Sequence, residues 1–284
     1  MRTYVITGGT DGMGRGLGLH FLGRGDRVFA VASGAAKGAR FLREAAELGA
    51  AGRAVFVPAD LSTLAGMRKV LADVEAVTDT VDGVVFGAQN FRSVRQETAD
   101  GFEYTFALAY LSRYVIGHGL FDALERATAP VIMNIAGPGG LPGTIEWEDL
   151  QLRDGYRGMR AAMQSSRCID LLGVAFTQRH PRARTRYVLY NPLMVRTAMA
   201  DPLPTAHRLL TKAWLLAAGQ PVGKAIVPIA ELIDHPPTEP LTAFRRRTRL
   251  ALTGTDFDPA RARRLDAITA ELVDSERSPV DNDR

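Results

Sequence analysis

The sequence predicts an α/β fold: one doubly wound parallel sheet with helices on both faces, in a single domain spanning residues 1–284. Three observations predict it. Short apolar runs alternate with longer stretches of helical periodicity over the first two thirds of the chain. The first apolar run, Tyr4-Val5-Ile6, opens directly into the glycine-rich turn Thr7-Gly8-Gly9-Thr10-Asp11-Gly12-Met13-Gly14, with a helical pattern behind it. No internal repeat or low-complexity linker divides the chain.

Taken in order, the strands are expected at Thr3–Thr7, Arg27–Ala32, Ala54–Pro58, Gly83–Phe86, 129–135 and 185–190. Most are continuously apolar, the pattern of strands covered on both faces. Helices are expected between them at 13–24, 38–48, 61–77, 101–126 and 156–178. Such βαβ alternation requires right-handed crossovers. Beyond Pro192 the pattern loosens: 207–218 and 222–235 read as helical, and 261–276 as an amphipathic helix with Leu265, Ile268 and Leu272 on one side. In a doubly wound sheet the segment after the sixth strand commonly covers the ligand cleft, so 194–250 is expected to do so. The polar tail 278–284 is expected to fray.

Composition narrows the function classes. A chain 46% hydrophobic and 23% charged can bury a substantial core. It holds no apolar run long enough for a transmembrane helix, and the first strand starts beside Met1 with no room for a signal peptide, so a cytoplasmic protein is expected. The lone Cys168 reads as a packing residue, and the five histidines are scattered, so no metal site is expected. The net charge of +4 is mostly arginine. Its densest run, Arg245-Arg246-Arg247-Thr248-Arg249, reads as a solvated helix face or turn, and no nucleic-acid module is visible.

The glycine turn has a physical task. Bare backbone lets a diphosphate approach, and the helix N-terminus behind it offers free N–H groups and a partial positive charge. Gly8, Thr10, Asp11, Gly12, Met13 and Gly14 are therefore the expected phosphate-binding corner of a Rossmann-type fold.

The spacing of this corner, Thr-Gly-(three residues)-Gly-x-Gly, resembles that of the short-chain dehydrogenase/reductase family. Later segments match in order. Asp60-Leu61 resembles the family's acidic residue at the adenine, Phe86-Gly87-Ala88-Gln89 stands in place of its Asn-Asn-Ala-Gly turn, and Asn134-Ile135 resembles the start of its Asn-x-Ser-Ser element. The run from Asn191 through Pro192, Leu193, Val195 and Thr197 resembles its Pro-Gly-x-Val-x-Thr segment, with Leu193 replacing the glycine. The resemblance implies a nicotinamide cofactor. The second strand ends at Val31-Ala32-Ser33-Gly34 without the acid that binds ribose hydroxyls, and Arg15, Lys37 and Arg40 stand nearby, which favours NADP(H) over NAD(H).

The resemblance fails where the chemistry would be. The family uses a tyrosine as proton donor, a lysine that lowers its pKa and holds the nicotinamide ribose, a serine and an asparagine. Here Ala109 stands at the asparagine, Gly137 at the serine, Met163 at the tyrosine and Arg167 at the lysine. A one-residue shift gives Ala162 and Ser166 instead. Arg167 could still hold a ribose. Tyr156, Tyr110, Tyr114 and Tyr190 are the tyrosines from which a replacement could come, and Glu146, Glu148 and Asp149 are nearby acids.

Three readings stay open. One is an NADP(H)-dependent oxidoreductase acting on an apolar carbonyl or secondary-metabolite intermediate through a non-standard proton relay. Another is a repurposed non-redox enzyme, such as a cyclase, dehydratase or isomerase. The third is a catalytically inactive nucleotide-binding protein. By resemblance, a homodimer or homotetramer is expected, paired through the helices at 101–126 and 156–178.

Overall fold

The first four apolar runs fold as strands at their expected bounds: β1 (Thr3–Thr7), β2 (Arg27–Ala32), β3 (Ala54–Pro58) and β4 (Gly83–Phe86). The next two fold within a residue or two of theirs, as β5 (Val131–Ile135) and β6 (Arg186–Asn191). The structure is a computed structural model that describes residues 1–139, 142–196 and 219–275. Two further strands, β7 (Leu241–Arg245) and β8 (Thr248–Leu250), complete one sheet in the order β3-β2-β1-β4-β5-β6-β7-β8. All neighbours pair in parallel except β7 and β8.

Helices cover both faces, as their apolar stripes require. On one face lie α1 (Gly12–Gly23), α2 (Ala35–Glu47), α8 (Val222–Ala225) and α9 (Val227–Asp234). There Leu17, Phe21, Phe41, Ile229 and Ile233 are buried against Tyr4, Val28, Met133 and Val188. The other face carries α3 (Leu64–Glu75), α4 (Tyr104–Phe106), α5 (Ser112–Gly119), α6 (Phe121–Arg126), α7 (Gly158–Arg179) and α10 (Pro259–Ser275). Its core joins Phe29, Val84, Phe86, Ile132 and Leu189 to Met67, Phe106, Ile169 and Leu265.

The helix expected over 101–126 is subdivided. A π-helical segment, Ala107–Leu111, joins α4 to α5, and a non-helical Leu120 separates α5 from α6. The wide turn brings the Ser112 N–H to Ala107 O, and the Ser112 hydroxyl donates to Leu108 O at 2.6 Å. That second bond satisfies a carbonyl which the widening frees.

One departure from the sequence expectations concerns the C-terminal third. Residues 241–250, read as part of a segment over the cleft, form the two edge strands. The arginine run, expected as a helix face or turn, ends β7 at Arg245, turns at Arg246 and Arg247 and enters β8, with Arg246 at φ 53° and its N–H donating to Asn191 O at 2.9 Å. The helix α10 turns the expected side inward: Leu265 is buried, Ile268 and Leu272 pack partly buried against the same core, and Ala262, Thr269 and Val273 are buried beside them. It packs along α7 and bonds the π segment through Tyr110 and Thr269. The helix expected at 207–218 and the frayed tail at 278–284 lie outside the described residues.

Candidate active site

The corner is built as its residue types demand. Gly8 has φ 68°, and a Cβ there would stand 3.0 Å from Ala88 N. A Cβ on Gly14 would fall 2.4 Å from Gly8 O. Both positions therefore exclude side chains. Asp11 caps α1, its Oδ1 accepting from the Gly12 N–H at 2.8 Å. The Thr7 hydroxyl oxygen accepts from the N–H groups of Gly87 (3.2 Å) and Ala88 (3.3 Å), which fixes the turn after β4 against the end of β1.

These contacts frame a cleft of about 470 Å³ at the C-terminal ends of the strands, where the winding reverses between β1 and β4. Gly8, Thr10, Asp11, Gly12, Met13 and Gly14 line it from the corner, Ser33 and Lys37 from beyond β2, Asp60 and Leu61 from beyond β3, and Gly87 and Ala88 from beyond β4. Asp60 is held by Ser62, whose N–H and hydroxyl donate to its Oδ1 at 2.9 and 2.7 Å. Lys37 forms an ion pair with Asp11, while Arg40 donates to Thr10 O at 3.2 Å. Burial works against the Asp11 carboxylate, but hydrogen bonds from Lys37 and Gly12 hold it below its ordinary range. Arg15 turns away to a two-pronged pair with Glu44, both bonds 2.6 Å long.

Beyond the corner the wall becomes Ala88, Asn90, Tyr104, Leu108 and Ile135. Ala109 is buried within the π segment. The loop after β5 runs close over the backbone of the half-buried Met163: a Cβ on Gly143 would meet Met163 Cβ at 2.8 Å. Gln164 straps that loop to α7, accepting from the Glu146 N–H and donating to Leu150 O, each at 2.9 Å.

Arg167 is 2% exposed and turns to two carboxylates, Asp170 at 2.9 Å and Asp256. It also donates to Gly137 O at 3.1 Å. Two acids sharing one guanidinium leave a surplus negative charge in a buried place. Burial, with Asp256 adding to it, pushes the Asp170 carboxyl up to about 7 despite Arg167.

Other sequence candidates are distributed around the cleft rather than in its described walls. Tyr156 donates to Arg92 O (3.2 Å) and to Glu103 Oε1 (3.3 Å). Tyr110 donates to Thr269 Oγ1 at 2.7 Å, since that hydroxyl gives its own proton to Leu265 O. Tyr114 accepts from Arg179, and the buried Tyr190 hydroxyl has no partner among the described residues. Glu146 pairs with Arg160, Glu148 with Arg264, and Asp149 accepts from the N–H groups of Arg153 and Asp154. Pro192 and Val195 follow β6, strapped by Gln220, which donates to Pro192 O at 2.9 Å. Thr197 lies outside the described residues. Leu193 keeps a left-handed φ of 58° where the family has glycine.

Sequence reasoning missed Tyr104, a tyrosine in the cleft wall whose ring lies 4.5 Å from the Arg92 guanidinium. Its spacing of four from Leu108 would have put it on the same helical face, had Leu108 been recognised as a cleft residue.

A doubly wound sheet whose glycine corner opens on a cleft at its switch point defines a dinucleotide-binding α/β protein. A family model described as short chain dehydrogenase matches residues 2–148. The chain belongs to the short-chain dehydrogenase/reductase family, whose members bind a nicotinamide cofactor. It is 29% identical over 217 residues to a polyprenol dehydrogenase of Danio rerio, covering 73% of this chain and 66% of that one. It is 25% identical over 235 residues to retinol dehydrogenase 13 of Homo sapiens, covering 76% and 70%. The matched stretch spans only 59% of the polyprenol dehydrogenase of Mus musculus. Among solved structures, a short chain dehydrogenase from Shigella flexneri complexed with NADP shares the fold, with a TM-score of 0.65, 16% identity, and coverage of 87% of this chain and 97% of that one. Among the described residues, no helix is long and apolar enough to cross a membrane.

Proposed function

We propose that this protein is an NADP(H)-dependent oxidoreductase acting on an apolar carbonyl compound or the corresponding alcohol. One observation carries the reading: the corner is intact and side-chain-free at Gly8 and Gly14, and Ser33 and Lys37, not an acid, line the cleft beyond β2. A bound nicotinamide would supply the hydride. The protein's part is to bind, orient and manage the proton. Lys37 would exchange Asp11 for a 2′-phosphate beside Ser33, and Asp60 would meet the adenine. Leu108, Ile135 and Ala88 give an apolar wall, which accords with relatives named for polyprenol and retinol.

Met163 has no proton to give, so the proton needs another carrier. Tyr104 is the tyrosine that the described cleft wall offers. Purified protein should consume NADPH with long-chain aldehydes or ketones and give products two mass units heavier. Lys37→Ala should reduce the preference for NADPH over NADH about tenfold, read by calorimetric titration of each.

The close approach of Gly143 to Met163, together with the neutralised Arg167, favours a second reading: a non-redox enzyme or a nucleotide-binding protein built on the same frame. Tight NADPH binding without consumption by any substrate of the panel would select it.

A further inference from the structure

Two arginines are almost fully buried next to the cleft, and only one has its charge answered. Arg167 meets Asp170, Asp256 and Gly137 O. Arg113, on α5 and 2% exposed, has no carboxylate within ion-pair distance among the described residues. Its Nη2 makes two long bonds, 3.4 Å each, to Ala88 O and Ile135 O, and its Nη1 has no partner among the described residues.

Both accepting residues line the cleft. In a helix the Cα–Cβ bond tilts toward the N-terminus, so the Arg113 side chain runs back along the turn that holds Ala109. A methyl group at that position leaves the space open. The polar groups beneath are neutral: Asn134 donates to the Tyr187 hydroxyl at 2.9 Å, and its own Oδ1 is unsatisfied. Burial lowers the Arg113 guanidinium to about 10, still charged at neutral pH.

A buried, unanswered cation is costly to the folded protein, and an anion brought close recovers that cost. We propose that Arg113, not Arg167, is the buried positive charge serving the cleft: a positioning residue that holds the Ala88 and Ile135 carbonyls and, behind the Ala88 turn that packs on Gly8, favours the anionic diphosphate at the corner. The proposal rests on the reading of the cleft as a dinucleotide site. It assigns Arg167 to joining the loop after β5 to the C-terminal segment through Asp256.

The test is calorimetric titration of NADPH into wild-type protein, Arg113→Met, Arg113→Lys and Arg167→Met, with the thermal midpoint of each ligand-free protein measured alongside. Arg113→Met should bind NADPH at least tenfold more weakly while melting no lower than wild type, because the unpaired charge is gone. Arg113→Lys should bind within about threefold of wild type. A purely structural arginine would give the opposite pattern: a lower midpoint and unchanged binding in Arg113→Met, which overturns the proposal. Weakened binding confined to Arg167→Met overturns it equally. Should Arg113→Met fail to fold, Arg113→Lys decides alone: a tenfold loss there means that charge is not what serves the cleft. Wild-type protein that binds neither NADPH nor NADH overturns the reading of the cleft, and the proposal with it.

Discussion

The two ends of one cleft are built by different rules. At the corner, geometry is set by what is missing: Gly8 and Gly14 stand where any Cβ would strike backbone. Behind the far end, beyond the described walls, geometry is set by loop and side-chain contacts: Gly143 over Met163, the Gln164 strap, and Asp256 paired with Arg167. A diphosphate pocket made of backbone tolerates almost no substitution. A site made of side chains can be rebuilt on an unchanged fold: Ala109, Met163 and Arg167 stand on helices that still pack on the same sheet.

The sharpest way to break this contrast is at the corner. Gly14→Ala forces a Cβ to within 2.4 Å of Gly8 O; we expect the protein to lose NADPH affinity by about two orders of magnitude or more, roughly 3 kcal/mol. Calorimetry on the folded variant checks this, and retained affinity would mean that the dinucleotide does not lie on the corner.

At the other end, Tyr104→Phe removes a hydroxyl and little else. If Tyr104 carries the proton, turnover falls by about a hundredfold or more while the NADPH Kd is unchanged. Equal turnover would return the search to other groups.

Asp170 sharpens the comparison through pH. Its carboxyl titrates near 7 in the folded chain against 3.8 for an ordinary aspartate. Between those values the folded state keeps a proton that the unfolded state has released, so stability should fall as pH rises from about 4 to about 7. Asp170→Asn should flatten that decline, measured as urea midpoints across the range. A slope unchanged by the substitution would assign the decline to other groups.

The smallest effect belongs to Leu193. A left-handed backbone costs a non-glycine residue about 1–2 kcal/mol, part of which glycine would return as unfolded-state entropy. Leu193→Gly should therefore stabilise the protein by about 0.5–1 kcal/mol in denaturant melts.

What the sequence made legible follows the same division. β1 to β4 were readable to the residue because turn-formers bound short apolar runs, and the corner because its glycines are a local signal. The strands β7 and β8 were hidden: they are short, and arginines flank or occupy them, so the run reads as a solvated segment until Glu231 and Glu239 supply partners for Arg247 and Arg249. Tyr104 and Arg113 were hidden for another reason. The π segment between them shifts the helical phase, so a 3.6-residue period carried from one side misplaces the other. Gln164 gave no signal at all, because its two bonds reach loop backbone brought back by the tertiary fold.

The β7–β8 hairpin has a consequence for how copies of this chain can meet. A parallel sheet that stopped at β7 would offer a half-paired strand to any passing segment. Instead the outermost strand is three residues long, carries Thr248 and Arg249 exposed, and has its arginine already engaged by Glu239. A foreign strand docking there would have to strip water from those charges for few ladder bonds in return. Growth of the sheet from molecule to molecule is thereby discouraged along this border.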